Sequence, residues 1–122
     1  MLLNSFYTIL NSNTDDSTVS AEVELNGDHE IFSGHFPNIP VVPGVCQIQM
    51  TKEILANELN KKLRLTRANN IKFLAIINPN ENKNLQFDLK YSEEDGQIKT
   101  QNVISYDGKV FFKFKGYFVE TD

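Results

Sequence analysis

Chemistry in this chain points first to one histidine and the loop that carries it. His35 lies in Phe32-Ser33-Gly34-His35-Phe36-Pro37-Asn38-Ile39-Pro40-Val41-Val42-Pro43-Gly44-Val45. Prolines at 37, 40 and 43 and glycines at 34 and 44 leave no room for regular structure, so the segment reads as a rigid loop. An imidazole titrates near neutrality and can take up or return a proton. A base has to be held still, and the prolines leave the loop little conformational freedom to lose on folding. Gly44 stands where a helical pattern begins. Unpaired N–H groups and the positive dipole end gather there, suited to an oxygen that gains negative charge. Without such a loop, a lone histidine more often packs or caps than reacts.

Other reactive residue types carry less. Cys46 falls in the first helical turn, where the dipole lowers a thiol pKa. As a free cysteine it reads better as a small buried hydrophobe. His29 beside Glu30 suggests a dyad or metal ligands. The chain has two histidines and no ligand spacing around them, so no metal site is expected. Gly27, Gly96 and Gly108 are turn glycines and form no phosphate cradle. The nine phenylalanines read as strand core.

The positioning elements follow from periodicity. Residues 18–25 alternate, with Val19, Ala21, Val23 and Leu25 on one side and Ser20, Glu22 and Glu24 on the other, as in a half-buried strand. Asn26-Gly27-Asp28 supplies a turn. After the loop, Val45 to about Leu63 reads as a helix. Val45, Ile48, Leu55, Ala56, Leu59 and Leu63 form one stripe and Cys46, Met50 and Ile54 a second, so its first half should be central and buried. Asn70 to Ile77 is a nearly continuous apolar run, consistent with a buried strand. Leu85, Phe87, Leu89 and Tyr91 alternate with polar residues, and Val110, Phe112, Phe114 and Phe118 line one face of the last strand. Asp95-Gly96 and Asp107-Gly108 are hairpin signals. The expected fold is α+β, an antiparallel sheet wrapped on one long helix in a single domain spanning 1–122. Its edge strands need cover, so a homodimer at least is expected.

Bulk properties exclude several classes. The 122 residues are 40% hydrophobic and 23% charged, ordinary for one soluble domain. A net charge of −4 argues against nucleic-acid binding. Lys52, Lys61, Lys62, Arg64, Arg67 and Lys72 nevertheless make the middle basic while the front is acidic. That stretch is either a solvated helix end or a docking patch for an acidic partner. The single cysteine permits no intrachain disulfide. The opening residues lack a basic and apolar leader pattern, and no run is long enough to span a membrane, so a cytoplasmic location is expected.

The loop resembles the signature of the hot-dog-fold 3-hydroxyacyl-acyl carrier protein dehydratases, the FabZ and FabA types. The match runs through His35-Phe36-Pro37, Pro40, and Pro43-Gly44-Val45 opening the helix. Ile71-Lys72-Phe73-Leu74 through Ile77-Asn78-Pro79-Asn80-Glu81 is a weaker echo. The resemblance implies a hot-dog fold and a thioester substrate on acyl carrier protein or coenzyme A. It implies no metal or redox cofactor, the phosphopantetheine arm belonging to the substrate. His35 would remove the proton from carbon 2, the Gly44 N–H would hold the enolate oxygen, and the Val41 carbonyl would orient the imidazole. Phe36, Pro43, Val45 and Ile48 would contact substrate, and Ile39, Phe73 and Leu74 are further candidates for an acyl tunnel. The site would be shared across a homodimer, which could assemble into a trimer of dimers.

One position departs from that pattern. The family carries Glu or Asp fourteen residues after the histidine, and here that residue is Gln49. An amide keeps the hydrogen-bonding capacity but has no proton to give at neutral pH. Three readings stand. Gln49 positions the hydroxyl while His35 alone moves the proton; Glu53, one turn on, substitutes as the acid; or the site binds acyl chains without catalysis. A thioesterase using Glu53 to activate water is a further alternative.

Overall fold

A computed structural model describes residues 1–33 and 40–121. Six strands and one long helix follow the order β1 (Tyr7–Asp15), β2 (Thr18–Leu25), α1 (Gly44–Leu59), β3 (Lys62–Phe73), β4 (Asn84–Glu94), β5 (Gln97–Tyr106) and β6 (Lys109–Thr121). A single turn of 3-10 helix, Glu30–Phe32, precedes the proline-rich loop. All strands join one sheet in the order β1-β2-β4-β5-β6-β3, and every pairing is antiparallel. The α+β architecture expected from the sequence is the one observed.

Strand alternation sets the face that meets α1. Val19, Ala21 and Val23 pair with Leu89, Phe87 and Leu85, and Ile104 pairs with Phe87 and Phe112, all of them buried. Cys46, Met50, Ile54 and Leu55 of the helix close against this face. A polar seam crosses the same contact. Asn102 Nδ2 donates to Thr51 Oγ1 at 2.9 Å, and that hydroxyl donates to the Gln47 carbonyl at 2.8 Å. Such a seam fixes the helix over the sheet in one register, because a half-made buried polar contact is costly.

The two Asp-Gly turns behave as expected. Asp95 and Gly96 have φ of 51° and 78°, and Asp107 and Gly108 have φ of 50° and 80°. These are the paired positive angles that a two-residue hairpin of matching twist requires.

Four expectations need correction. The helix ends at Leu59, not near Leu63, because Asn60 turns left-handed at φ 54°, ψ 47° and its N–H closes on the Ala56 carbonyl. Asn tolerates that conformation and stops the helix. Leu63 therefore belongs to β3. The run from Asn70 to Ile77 is not a buried strand: β3 is an edge strand that stops at Phe73, leaving Phe73, Leu74 and Ile76 exposed and only Ile77 sealed in the core. Val45 is also exposed, at 74%; of its stripe Leu55 and Leu63 are buried and Ile48, Ala56 and Leu59 half-buried, while Cys46, Met50 and Ile54 are all buried in the core. Finally, β1 precedes the first strand read from the sequence and joins it through Asp16-Ser17, a turn without glycine.

Candidate functional site

The loop enters the helix through a short extended segment. The Val42 N–H donates to the Ile77 carbonyl at 2.9 Å, and the Val42 side chain is buried. Gln47 reaches back to donate to the Val42 carbonyl at 3.2 Å. Val41 and Pro43 flank this anchor, both half-buried. His35, Phe36 and Ile39 lie outside the described residues, so the anchored segment marks where their loop joins the helix.

Pro43 serves as the N-cap, with φ −60° and ψ 149°, and its carbonyl accepts from the N–H groups of Cys46 and Gln47 at 3.0 and 3.2 Å. Among the described residues nothing accepts from the N–H of Gly44 or Val45. The helix start therefore carries unpaired donors at its positive end, as an oxyanion requires. Packing at residue 44 is close. A Cβ there would lie 2.7 Å from Cζ of Phe73, whose ring covers the helix start.

Four residues further along, Gln49 faces Glu53. Gln49 Nε2 donates to Glu53 Oε2 at 2.6 Å. The same carboxylate accepts from the Leu2 N–H and Leu3 N–H, each at 2.8 Å, and from the Tyr7 hydroxyl at 3.0 Å. Glu53 is 3% exposed, so these four donors replace the water it has lost. They also fill the acceptor positions of both oxygens. Burial, the charge of Glu53 and the hydrogen bond to it push the Tyr7 hydroxyl far above the usual tyrosine range. Burial first, and then the charge of Glu53, raise the Cys46 thiol. A raised thiol is a poor nucleophile at neutral pH, which fits the packing role read for Cys46. His29 is a cap: its Nδ1 accepts from the Ile31 N–H at 3.1 Å and its ring stands edge-on to Phe6.

Gln49, Val45 and Ile48 come together along one open groove of about 410 Å³ between α1 and the sheet edge, with Lys52, Leu63, Arg64 and Phe118 among the other walls. Phe73 sits at the helix start instead. The basic stretch is divided. Lys61 follows the helix end and pairs with Glu93 at 3.2 Å, whereas Lys62, Arg64, Arg67 and Lys72 lie on the edge strand β3. Sequence reasoning missed the Tyr7 hydroxyl and the Leu2 and Leu3 amides. The signal available was a glutamate directly before the buried pair Ile54 and Leu55, since a carboxylate carried into the core has to find donors.

Comparison with known proteins bears on the family and the fold. The family model described as "ApeI-like: ApeI dehydratase" matches residues 11–112. A 3-hydroxyacyl-[acyl-carrier-protein] dehydratase FabZ from Helicobacter hepaticus is 30% identical, with 80% of this chain and 67% of that protein covered. The FabZ of Chlamydia pneumoniae is 25% identical over 72% of this chain and 63% of its own length. The chain thus spans about two thirds of the length of these relatives. Among solved structures, the dehydratase heterocomplex ApeI:P from Xenorhabdus doucetiae superposes with a TM-score of 0.75 at 18% identity, covering 91% of this chain and 96% of that one. A putative thioesterase from Ralstonia eutropha JMP134 gives 0.65 at 12% identity, covering 91% and 83%. These structural likenesses carry the fold, which is the hot-dog fold. Taken with the family match, they place the chain in the ApeI-like dehydratase family.

Proposed function

We propose that this chain dehydrates 3-hydroxyacyl thioesters presented by acyl carrier protein, in fatty-acid or related polyketide-type synthesis. The observation that carries the reading is the helix start at Gly44, where among the described residues nothing accepts from the Gly44 or Val45 N–H, and which follows the His35 loop in sequence. His35 removes the proton from carbon 2. The thioester carbonyl becomes an enolate, and its oxygen takes the Gly44 N–H. Electrons return to form the carbon 2–carbon 3 double bond as the C3–O bond breaks. The imidazolium gives its proton to the departing oxygen, and water leaves. Elimination of water transfers no electrons to a cofactor; the phosphopantetheine arm comes with the substrate.

Assembly supports the same reading. The edge strand β3 leaves one side of its backbone unpaired, and exposed Val45 on α1, Phe73 at the end of β3, and Leu74 and Ile76 just beyond it lie nearby in the fold. A second copy joined there would cover them and bring Gln49 of the partner subunit toward His35. A similar solved structure is a heterocomplex, so the purified chain alone is the right sample for measuring assembly.

A binding-only protein is the second reading, and Gln49, which has no proton to give, favours it. A thioesterase fits less well, because the four donors on Glu53 leave no oxygen free to activate water. Solvent deuterium exchange separates catalysis from binding. Carbon 2 of a carrier-bound acyl thioester should take up deuterium with the wild type and not with His35→Ala. Tight binding without exchange would leave the binding-only reading in place.

A further inference from the structure

Glu53 is the most heavily hydrogen-bonded side chain among the described residues, yet the elimination gives it no step. Three of its donors come from the chain's first residues: the Leu2 N–H on Oε2, and the Leu3 N–H and Tyr7 hydroxyl on Oε1. The fourth is Gln49 itself. A carboxylate accepts hydrogen bonds and does not donate them, so the nitrogen of the Gln49 amide has to face it. A planar amide that points its nitrogen one way points its oxygen the other.

We propose that Glu53 is a positioning residue that locks the Gln49 side chain with its amide oxygen presented to the groove. The proposal rests on the dehydratase reading and deepens it. An oxygen in that place can only accept. The substrate's 3-hydroxyl therefore donates its own proton to Gln49 Oε1, which orients the C3–O bond and leaves the hydroxyl lone pairs open to the imidazolium of His35. Gln49 thereby selects a substrate carrying a hydroxyl at carbon 3, and delivery of the proton rests with the histidine. Holding the amide in one of its two orientations matters because a flipped amide offers N–H groups where the hydroxyl needs an acceptor. The clamp also links the chain's first turn to the site, since Leu2 and Leu3 hold the same carboxylate.

Two readouts test it. In side-chain amide spectra of the wild type, one Gln49 proton should be shifted downfield and exchange with solvent at least about tenfold more slowly than free glutamine side chains, as a charge-assisted bond implies. Glu53→Asp shortens the reach by one methylene. It should remove that signature and lower kcat by roughly 10- to 100-fold, with KM changed less than about threefold. Free exchange of the Gln49 amide in the wild type, or a folded Glu53→Asp with unchanged kcat, overturns the proposal. If Glu53→Asp does not fold, the wild-type amide signature decides. A locked amide in a protein that forms no enoyl product would remove the dehydratase reading and leave the clamp; product formation with a freely exchanging amide would remove the clamp alone.

Discussion

At the scale of residues, the site turns on how few groups are free to react. Gly44 is fixed by the Phe73 ring as well as by its N–H. Gly44→Ala should cost about 1–3 kcal/mol of stability through overpacking, read as a lower Tm with the fold retained. An unchanged Tm would mean that the ring yields freely. Tyr7 makes a pH prediction. Its hydroxyl titrates far higher folded than unfolded, so its contribution is intact below the ordinary tyrosine value of about 10 and lost as pH climbs above it. Tyr7→Phe should therefore be less stable at neutral pH by about 1–2 kcal/mol and lose less stability than the wild type above that pH. Gln49→Glu would set two carboxyls at hydrogen-bond separation, where like charges cannot both ionise, so the pair keeps a proton. Dehydration should then speed up by roughly 10- to 100-fold while Tm falls, and a slower enzyme would show that position 49 has been rebuilt around the amide. Gly44 and Gln49 stand out in the sequence through the family resemblance of the loop that holds His35, and the structure places Gly44 at the helix start and Gln49 on the groove. In the sequence Glu53 reads as a substitute acid or water activator one turn away, because the partners that occupy it lie 46 to 51 residues distant.

Elements were legible where one face is buried and the other is not. Strands β2, β4 and β6 alternate, and α1 carries its stripe of Cys46, Met50 and Ile54, whereas β5 is implied in the sequence only by the hairpin signals on either side of it. Strand β1 escaped because it is exposed along most of its length and so shows no period of two. Strand β3 looked buried at its end because Ile71, Phe73 and Leu74 are apolar, yet they sit at an edge of the isolated chain. An apolar run says what a strand seeks to bury, and not whether its own chain or another supplies the cover. Val45→Asp tests this. A charge at a site 74% exposed should change monomer stability by no more than about 0.5 kcal/mol, yet it should shift the protein to monomer in sedimentation and abolish turnover. Retention of the dimer would put the interface elsewhere.

The whole molecule is a sheet that closes on one helix, and the proposed chemistry lies at the helix start. The proline loop feeds that start, Phe73 covers it, and the first residues of the chain grip the helix through Glu53 one turn beyond Gln49. In the proposed reading His35 is the base and the helix start the oxyanion donor, with the Gln49 amide where an acid would otherwise stand. The claim that dehydration proceeds without that acid is tested most directly by the intact mass of a 3-hydroxyacyl carrier protein incubated with purified enzyme. Wild type should remove one water from the acyl chain, Gln49→Met should do so more slowly, and His35→Ala should leave the mass unchanged. A wild type that releases no water from any acyl chain length, or a His35→Ala variant that releases it at the wild-type rate, would contradict the account.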